Sequence, residues 1–483
     1  MTGAARSGRS SGGPPPDEQP IVQSFVEEGL GNSSYLFGSR SSETAVVIDP
    51  LRDIEPYVRV AERHGLTITH VLDTHLHNDF VSGARELAAR CGATVCASAE
   101  AGLEFDHRPL KERDRISVGE LALEVVATPG HTPEHIVFLA VDGARAPLAL
   151  FSGGALIVGG TARTDLLGEE MAKPLTRQLY RTIQEKILVL PDSVAVLPTH
   201  GAGSFCVAAE LPDRTTTIGR ERARNPLVRA RSEDEFVRLA LGGLPSYPVY
   251  FREMRAINRR GPRILGGPPA LAALTPEAVR EWIARGGAVL DVRPAPHFAR
   301  GHIPGSYGIQ LDAPLTTWAG WLIPFGTALV LLADSVEARE EAVRQLLRIG
   351  FDDLRGYLDG GMPAWAANGF ETSALRMISV RDLRPRLRAG DAPVVLDVRS
   401  DAEWTAGHIP GAVHIENGRL PYDDLSLPRD RPIVVHCEVG NRSVYGMSVL
   451  LRRGYSNVVL LPEGFAGWRA AGFEVTQRES DRA

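Results

Sequence analysis

One passage of sequence occurs twice, and it constrains the chain more than any other feature. AVLDVRPAPHFARGHIPGS begins at Ala288, and VVLDVRSDAEWTAGHIPGA begins at Val394. Asp291 and Asp397 lie 106 residues apart, as do Gly301 and Gly407, and His302 and His408. LLRIGF, from Leu346 to Phe351, answers LLRRGY, from Leu450 to Tyr455, at an offset of 104. GMPAW at Gly361 answers GFAGW at Gly464 at 103. One order and one spacing define a tandem domain. In each copy short apolar runs such as VVLDV and PIVVHC alternate with helical spacing. Strands alternating with helices predict a doubly wound parallel sheet covered on both faces.

The 483 residues are too many for one core and exceed what two such copies need, so an N-terminal domain precedes them. Its strand runs, AVVIDP, THVLDTH, LEVVATPGH and LALFSGG, each end in a polar loop. GARELAARC and LYRTIQEKI carry helical spacing between them. This rhythm predicts an α/β sandwich with its site at the strand ends. The expected boundaries are a disordered tail over 1–20, the N-terminal domain over 21–261, a linker over 262–273, and repeat copies over 274–373 and 376–477. Thr275 is expected to cap a helix that starts with Pro276.

Composition removes several function classes. A net charge of -6 argues against a nucleic-acid partner, whose footprint would be basic. No apolar run reaches the ~18 residues of a spanning helix. The longest, Trp318 to Leu332, is interrupted by Gly320, Pro324 and Gly326. A soluble protein with no membrane partner is expected. Four cysteines (Cys91, Cys96, Cys206, Cys437) are too few for a disulfide framework, so a reducing cytoplasm is the expected compartment. The first twenty residues lack an apolar core and do not read as a secretory signal.

Cys437 stands in HCEVGNRS, between the strand run PIVV and a helix expected to begin near Arg442. A thiol there faces the positive end of a helix dipole and a curl of backbone N–H groups, which stabilises thiolate. Glu438, Val439, Gly440, Asn441 and Ser443 form the curl, and Arg442 adds a cation. For an arbitrary cysteine, inert burial is the better reading; the strand–loop–helix setting reverses it here. Both copies resemble rhodanese domains in their D-V-R, G-H-I-P-G and G-(x)3-W marks. The resemblance implies a sulfurtransferase in which Cys437 carries a persulfide, with Asp397 and Arg399 closing the base of the site. It implies ping-pong transfer between small thiols, persulfides or thiosulfate. That reading requires a Cys437 thiol within reach of reagents. His408 is expected to shape a turn. In the first copy the thiol position falls on Ala333, so that copy is expected to dock or scaffold.

Histidines cluster at three strand ends of the N-terminal domain: Thr74-His75-Leu-His77-Asn-Asp79-Phe80, Gly130-His131-Thr-Pro and Thr199-His200-Gly201. Neutral imidazoles gathered on the loops of one face are the usual material of a metal site. The set resembles the metallo-β-lactamase fold, an αββα sandwich. HNDFVSG, ATPGHTPEH and SGGALIVGGTARTDLLG are similar to persulfide dioxygenases, particularly those fused to rhodanese domains. That resemblance implies one Fe(II) per chain, bound by two histidines and a carboxylate, which oxidises glutathione persulfide to sulfite. His75 and His131 take the histidine positions. Gly154 stands where the carboxylate belongs, and Phe80 replaces a histidine that serves a second metal. The site is then metal-free, or loaded with iron or zinc through a substitute drawn from His77, Asp79, His200 or Asp165. Competing readings are a glyoxalase II-like thioester hydrolase and a non-enzymatic sulfur carrier or redox sensor. The sequence leaves a homo-oligomer open.

Overall fold

The computed structural model describes residues 20–207, 212–312, 314–388 and 392–477. The expected disordered tail, apart from Pro20, lies outside the described residues.

The N-terminal domain pairs two six-stranded sheets. Ile21–Glu27, Asn32–Ser39, Thr44–Ile48, Thr67–Leu72, Thr94–Ser98 and Arg108–Leu110 form the first in chain order. Arg115–Val118, Leu121–Ala127, Ile136–Val141, Pro147–Gly153, Ala195–Pro198 and Thr216–Thr217 form the second. Strand side chains alternate between faces. Tyr35, Phe37, Val46 and Leu72 of the first sheet therefore share a core with Leu123, Val125, Phe138 and Phe151 of the second. The outer faces bury their apolar residues under helices. Glu55–Arg63 and Ala84–Cys91 cover the first sheet, and Glu169–Thr182 and Glu233–Leu241 cover the second. The result is the expected helix–sheet–sheet–helix sandwich.

The two repeat copies fold alike. In space the first runs Ala273–Leu274, Leu354–Leu358, Leu329–Leu332, Ala288–Asp291, Tyr307–Gly308. The second runs Arg376–Met377, Val458–Leu460, Ile433–His436, Val394–Asp397, Val413–His414. Every neighbouring pair in both sheets is parallel. The central strands are buried on both faces, which is why they read as unbroken apolar runs. Thr275 caps the helix Pro276–Ala284, its hydroxyl accepting the Ala278 N–H. Among the described residues, no helix is long and apolar enough to cross a membrane.

The linker is pinned, because the Glu86 carboxylate accepts the backbone N–H groups of Leu265, Gly266 and Gly267. The first repeat copy docks on the sandwich through two arginine clusters. Arg52 pairs with Asp352 through both terminal guanidinium nitrogens, one contact at 2.9 Å. Arg348 reaches Asp53 at 2.6 and 2.8 Å and Glu27 at 2.9 Å. Val81 N–H donates to the Arg348 carbonyl at 2.7 Å. Apolar packing is continuous across all three domains: Phe205 packs at a tilt on Trp321, whose neighbour Trp318 packs at a tilt on Tyr445.

Removing one partner of a nearly buried ion pair leaves the other charge uncompensated. Arg348→Ala, which strands Asp53 and Glu27, is expected to cost about 3–5 kcal/mol in urea unfolding. Unchanged unfolding would show that this cluster does not hold the domains together.

Candidate functional site

Four strand ends converge between the sheets. Thr67–Leu72 leads to His75, His77 and Asp79, Leu121–Ala127 to His131, Pro147–Gly153 to Gly154, and Ala195–Pro198 to His200. A residue absent from the sequence reading, Asp49, fastens them. It follows Thr44–Ile48 with φ of 51°, a left-handed backbone that non-glycine residues rarely adopt. Its carboxylate accepts the Thr74 N–H at 2.7 Å, the Thr74 hydroxyl at 2.8 Å and the Thr199 hydroxyl. Burial pushes its pKa up, but the facing His77 charge and these hydrogen bonds outweigh that, and the pKa falls.

His75, His131 and His200 come together, with one ring nitrogen from each within 4.8 Å of the others. All three are buried, and the Nε2 of His131 meets no hydrogen-bond partner. Burial followed by neighbouring imidazoles drives the His75 pKa far down, and burial takes His131 to about 3. Buried, neutral imidazoles with an unsatisfied nitrogen fit a metal ion. The expected neighbours separate. His77 turns its Nε2 to Asp49 at 3.2 Å and lies 3.9 Å from Asp73, and its ring stacks on Phe80. Asp79 faces Asn32 at 2.7 Å and His200 Nδ1 at 3.4 Å. His77, Asp79 and His200 form a second candidate group. Asp165 joins neither, its carboxylate being taken by Arg163 at 2.7 Å.

Gly154 lies against this cluster. A Cβ there would meet His131 Cδ2 at 2.5 Å and Ala162 Cβ at 2.9 Å. Its N–H donates to His135 Nε2 at 3.0 Å, while Thr128 engages the other His135 nitrogen at 2.8 Å. His135, like Asp49 and Asn32, went unassigned in the sequence. Only its place in GHTPEH hinted at it.

In the second repeat copy Cys437 follows the strand Ile433–His436, and the helix Asn441–Arg452 starts four residues later. Gly440, at φ of 93°, turns its N–H to Cys437 Sγ at 3.2 Å. A Cβ at Gly440 would stand 2.5 Å from the Pro462 carbonyl oxygen, so the curl requires glycine. The thiol itself has 0% exposure, beneath a loop whose tip, Val439, is 64% exposed. Arg442 lies beside it, yet its guanidinium is gripped by Glu403 at 2.6 and 2.7 Å. Arg399 is buried on Asp397 at 2.6 Å and reaches Glu438 at 3.2 Å. Asn441 and Ser443 open the helix, with Ser443 buried. His408 stacks on Trp404 and pairs through its backbone with Thr476. Cys96 and Cys206 are buried, and Cys91 is half-buried.

Burial opposes ionisation of Glu403, but Arg442 outweighs it, with Ser400 adding, and holds the carboxyl at about 2 against an ordinary 4.5. Its folded pKa is depressed. The stability it contributes is therefore complete above about pH 4.5 and lost as pH falls towards about 2. Urea midpoints of wild type and Glu403→Gln are expected to differ at neutral pH and to converge as pH drops through that window. A gap that stays constant with pH would remove the pair from the stability of this loop.

With this geometry described, comparisons with known proteins place the chain. The rhodanese-like domain family matches residues 275–368 and 379–471, and the metallo-beta-lactamase superfamily matches 28–200. Human mitochondrial persulfide dioxygenase ETHE1 is 32% identical over 43% of this chain and 74% of its own length. The hydroxyacylglutathione hydrolase of Hahella chejuensis is 29% identical over 52% of this chain and 95% of its own length. The solved structure of a metallo-beta-lactamase from Staphylococcus aureus superposes with a TM-score of 0.63 at 32% identity, covering 70% of this chain and 98% of that one. The chain belongs to the metallo-beta-lactamase superfamily, as a relative of persulfide dioxygenases that carries two rhodanese-like domains.

Proposed function

We propose that the chain is an enzyme of sulfane-sulfur metabolism that transfers sulfur through Cys437 and oxidises a low-molecular-weight persulfide in its N-terminal domain. One observation carries the transferase reading: the Gly440 N–H aimed at Cys437 Sγ at the N-terminus of a 12-residue helix. Amide hydrogen and helix dipole both favour negative charge on that sulfur. The Cys437 thiolate attacks the outer sulfur of a persulfide or thiosulfate, forming a sulfur–sulfur bond and releasing thiolate or sulfite. An acceptor thiolate then takes the terminal sulfur and returns Cys437 as thiolate. Arg442, beside Cys437 and anchored by Glu403, steadies the charged sulfur through both halves.

In the N-terminal domain His75, His131 and a third ligand would hold the metal, with iron the reading that the persulfide dioxygenase relatives support. When bound, that ion supplies activation of dioxygen and binding of the persulfide. Persulfide, dioxygen and water give thiol, sulfite and two protons; sulfite is then an acceptor for the Cys437 persulfide, yielding thiosulfate. The chain's own residues shield the cluster from bulk solvent, since every imidazole of it is buried. Thioester hydrolysis with two metals is disfavoured, since Phe80 puts a buried hydrocarbon ring where a second ion needs a ligand.

The test is sulfur loading. Full-length protein treated with glutathione persulfide or thiosulfate is expected to gain the mass of one sulfur at Cys437 and to pass it to cyanide. Cys437→Ser should lose both and keep its metal content. Because the thiol lies under the 438–440 loop, its alkylation in the native protein is measured alongside. No labelling and no loading would end the transferase reading.

A further inference from the structure

We infer that the metal of the N-terminal domain is held by three imidazoles, His75, His131 and His200, and that Asp79 supplies from behind His200 the negative charge that Gly154 lacks. The inference rests on the metal-dependent reading of this domain and names its ligand set.

Hydrogen-bond partners fix each ring. The Thr74 hydroxyl gives its hydrogen to Asp49 at 2.8 Å, so at 2.8 Å it accepts from His75 Nδ1. The Arg163 carbonyl can only accept, so His131 Nδ1, at 2.6 Å, carries the hydrogen. Asn32 turns its Nδ2 to Asp79, which leaves its Oδ1 to accept from His200 Nδ1 at 3.2 Å. All three rings therefore direct an Nε2 lone pair inward. His75 and His200 bring these atoms within 3.4 Å of each other, and that of His131 is unpartnered. Three converging lone pairs in a buried space repel one another unless a cation sits among them. Each Nδ1–H bonded to an acceptor is the arrangement that orients a ligating histidine.

Gly154 does not leave room for the carboxylate of the relatives. Its Cβ position collides with the His131 ring and with Ala162, so an acid there would displace a ligand instead of adding one. The charge has moved outward. Asp79 Oδ2 lies 3.4 Å from His200 Nδ1 and is bridged to it by Asn32, so His200 is backed by a carboxylate. A carboxylate behind a metal-bound imidazole raises its basicity as a ligand. Asp79 is a positioning residue in this scheme. The rival set of His77, Asp79 and His200 would have to bind through His77 Nδ1 and Asp79 Oδ1, both unpartnered, because His77 Nε2 is turned to Asp49. It competes with the first set for His200, and its His77 ring is stacked on Phe80.

The test uses the full-length chain, freed of metal and titrated anaerobically with Fe(II) and separately with Co(II). One ion per chain is expected, with an X-ray absorption spectrum that fits three imidazoles. His200→Ala should lose most of the affinity, and Asp79→Asn should weaken it by about 10–100-fold. Gly154→Asp should bind no better than wild type. A shell of two imidazoles and a carboxylate, wild-type affinity in His200→Ala, or tighter binding in Gly154→Asp would each overturn the inference. Circular dichroism melts check that the variants fold, and the absorption spectrum of wild type needs no variant. Oxygen uptake with glutathione persulfide on the same samples separates the two claims. A three-imidazole ion without turnover sinks the dioxygenase reading alone, and turnover with any other shell sinks the ligand set alone.

Discussion

The buried carboxylate of Asp49 is the constraint on which the N-terminal site depends. It belongs to the first sheet, and it accepts from Thr74 beside the first histidine cluster and from Thr199 at the end of a strand in the second sheet. Two sheets that meet only through apolar side chains fix their spacing but not their register at the edge. Here Asp49 shares that task with the Ser33 N–H, which donates to the Thr199 carbonyl at 2.7 Å, and the Tyr35 hydroxyl, which donates to the Pro198 carbonyl at 2.7 Å. The left-handed backbone at Asp49 is the cost, of order 1–3 kcal/mol for a non-glycine residue in such a region. Because Thr74 spends its hydroxyl hydrogen on Asp49, it can only accept from His75, so the same carboxylate also sets the tautomer of a neighbouring imidazole.

The second constraint is translational. Arg348 and Arg452 occupy equivalent positions in the repeated LLR segments, and each leaves its own domain to grip the one before it. Arg348 takes Asp53 and Glu27 of the sandwich. Arg452 takes the Gly305 carbonyl of the first copy and lies 4.3 Å over the Tyr307 ring. One device, used twice, ties each copy to the domain before it, and the Ser246 hydroxyl of the sandwich also donates to Glu416 of the second copy at 2.7 Å. The apolar cluster running through all three domains packs the thiol-free copy against both of its neighbours.

Much of this was legible in the sequence. The repeat offsets and apolar alternation carry the three-domain plan, because period and burial are local properties of a strand or helix. The three histidine clusters were legible because each ends an apolar run. What was hidden depends on partners far apart along the chain. Asp49 in VVIDP resembles any acid after a strand until Thr199 is brought to it, 150 residues on. Asn32 gains meaning only from Asp79 and His200. Gly154 read as a missing ligand; the space around it, which no sequence displays, makes it a residue that must be small. The burial of Cys437 was equally out of sight, since it depends on how the 438–440 loop folds over the thiol.

The two repeat copies also separate what belongs to the fold from what belongs to the chemistry. Asp397 and Arg399 were expected to close the base of the thiol site, yet Asp291 and Arg293 make the same buried pair at 2.6 Å in the copy that has no thiol. In both copies the guanidinium also caps a carbonyl across the GHIPG turn, Gly301 in one and Gly407 in the other. A pair that persists where Ala333 stands in place of Cys437 stabilises the turn and the strand end, whatever happens at the loop. At the thiol loop the two copies part. Cys437, Gly440 and Arg442 answer to Ala333, Val336 and Ala338, and Val336 begins a helix where Gly440 swings its N–H back to sulfur. What sets the second copy apart at this loop is therefore Cys437, Gly440 and Arg442, with the Glu403 that anchors the last of them, on a strand-end pair that both copies share.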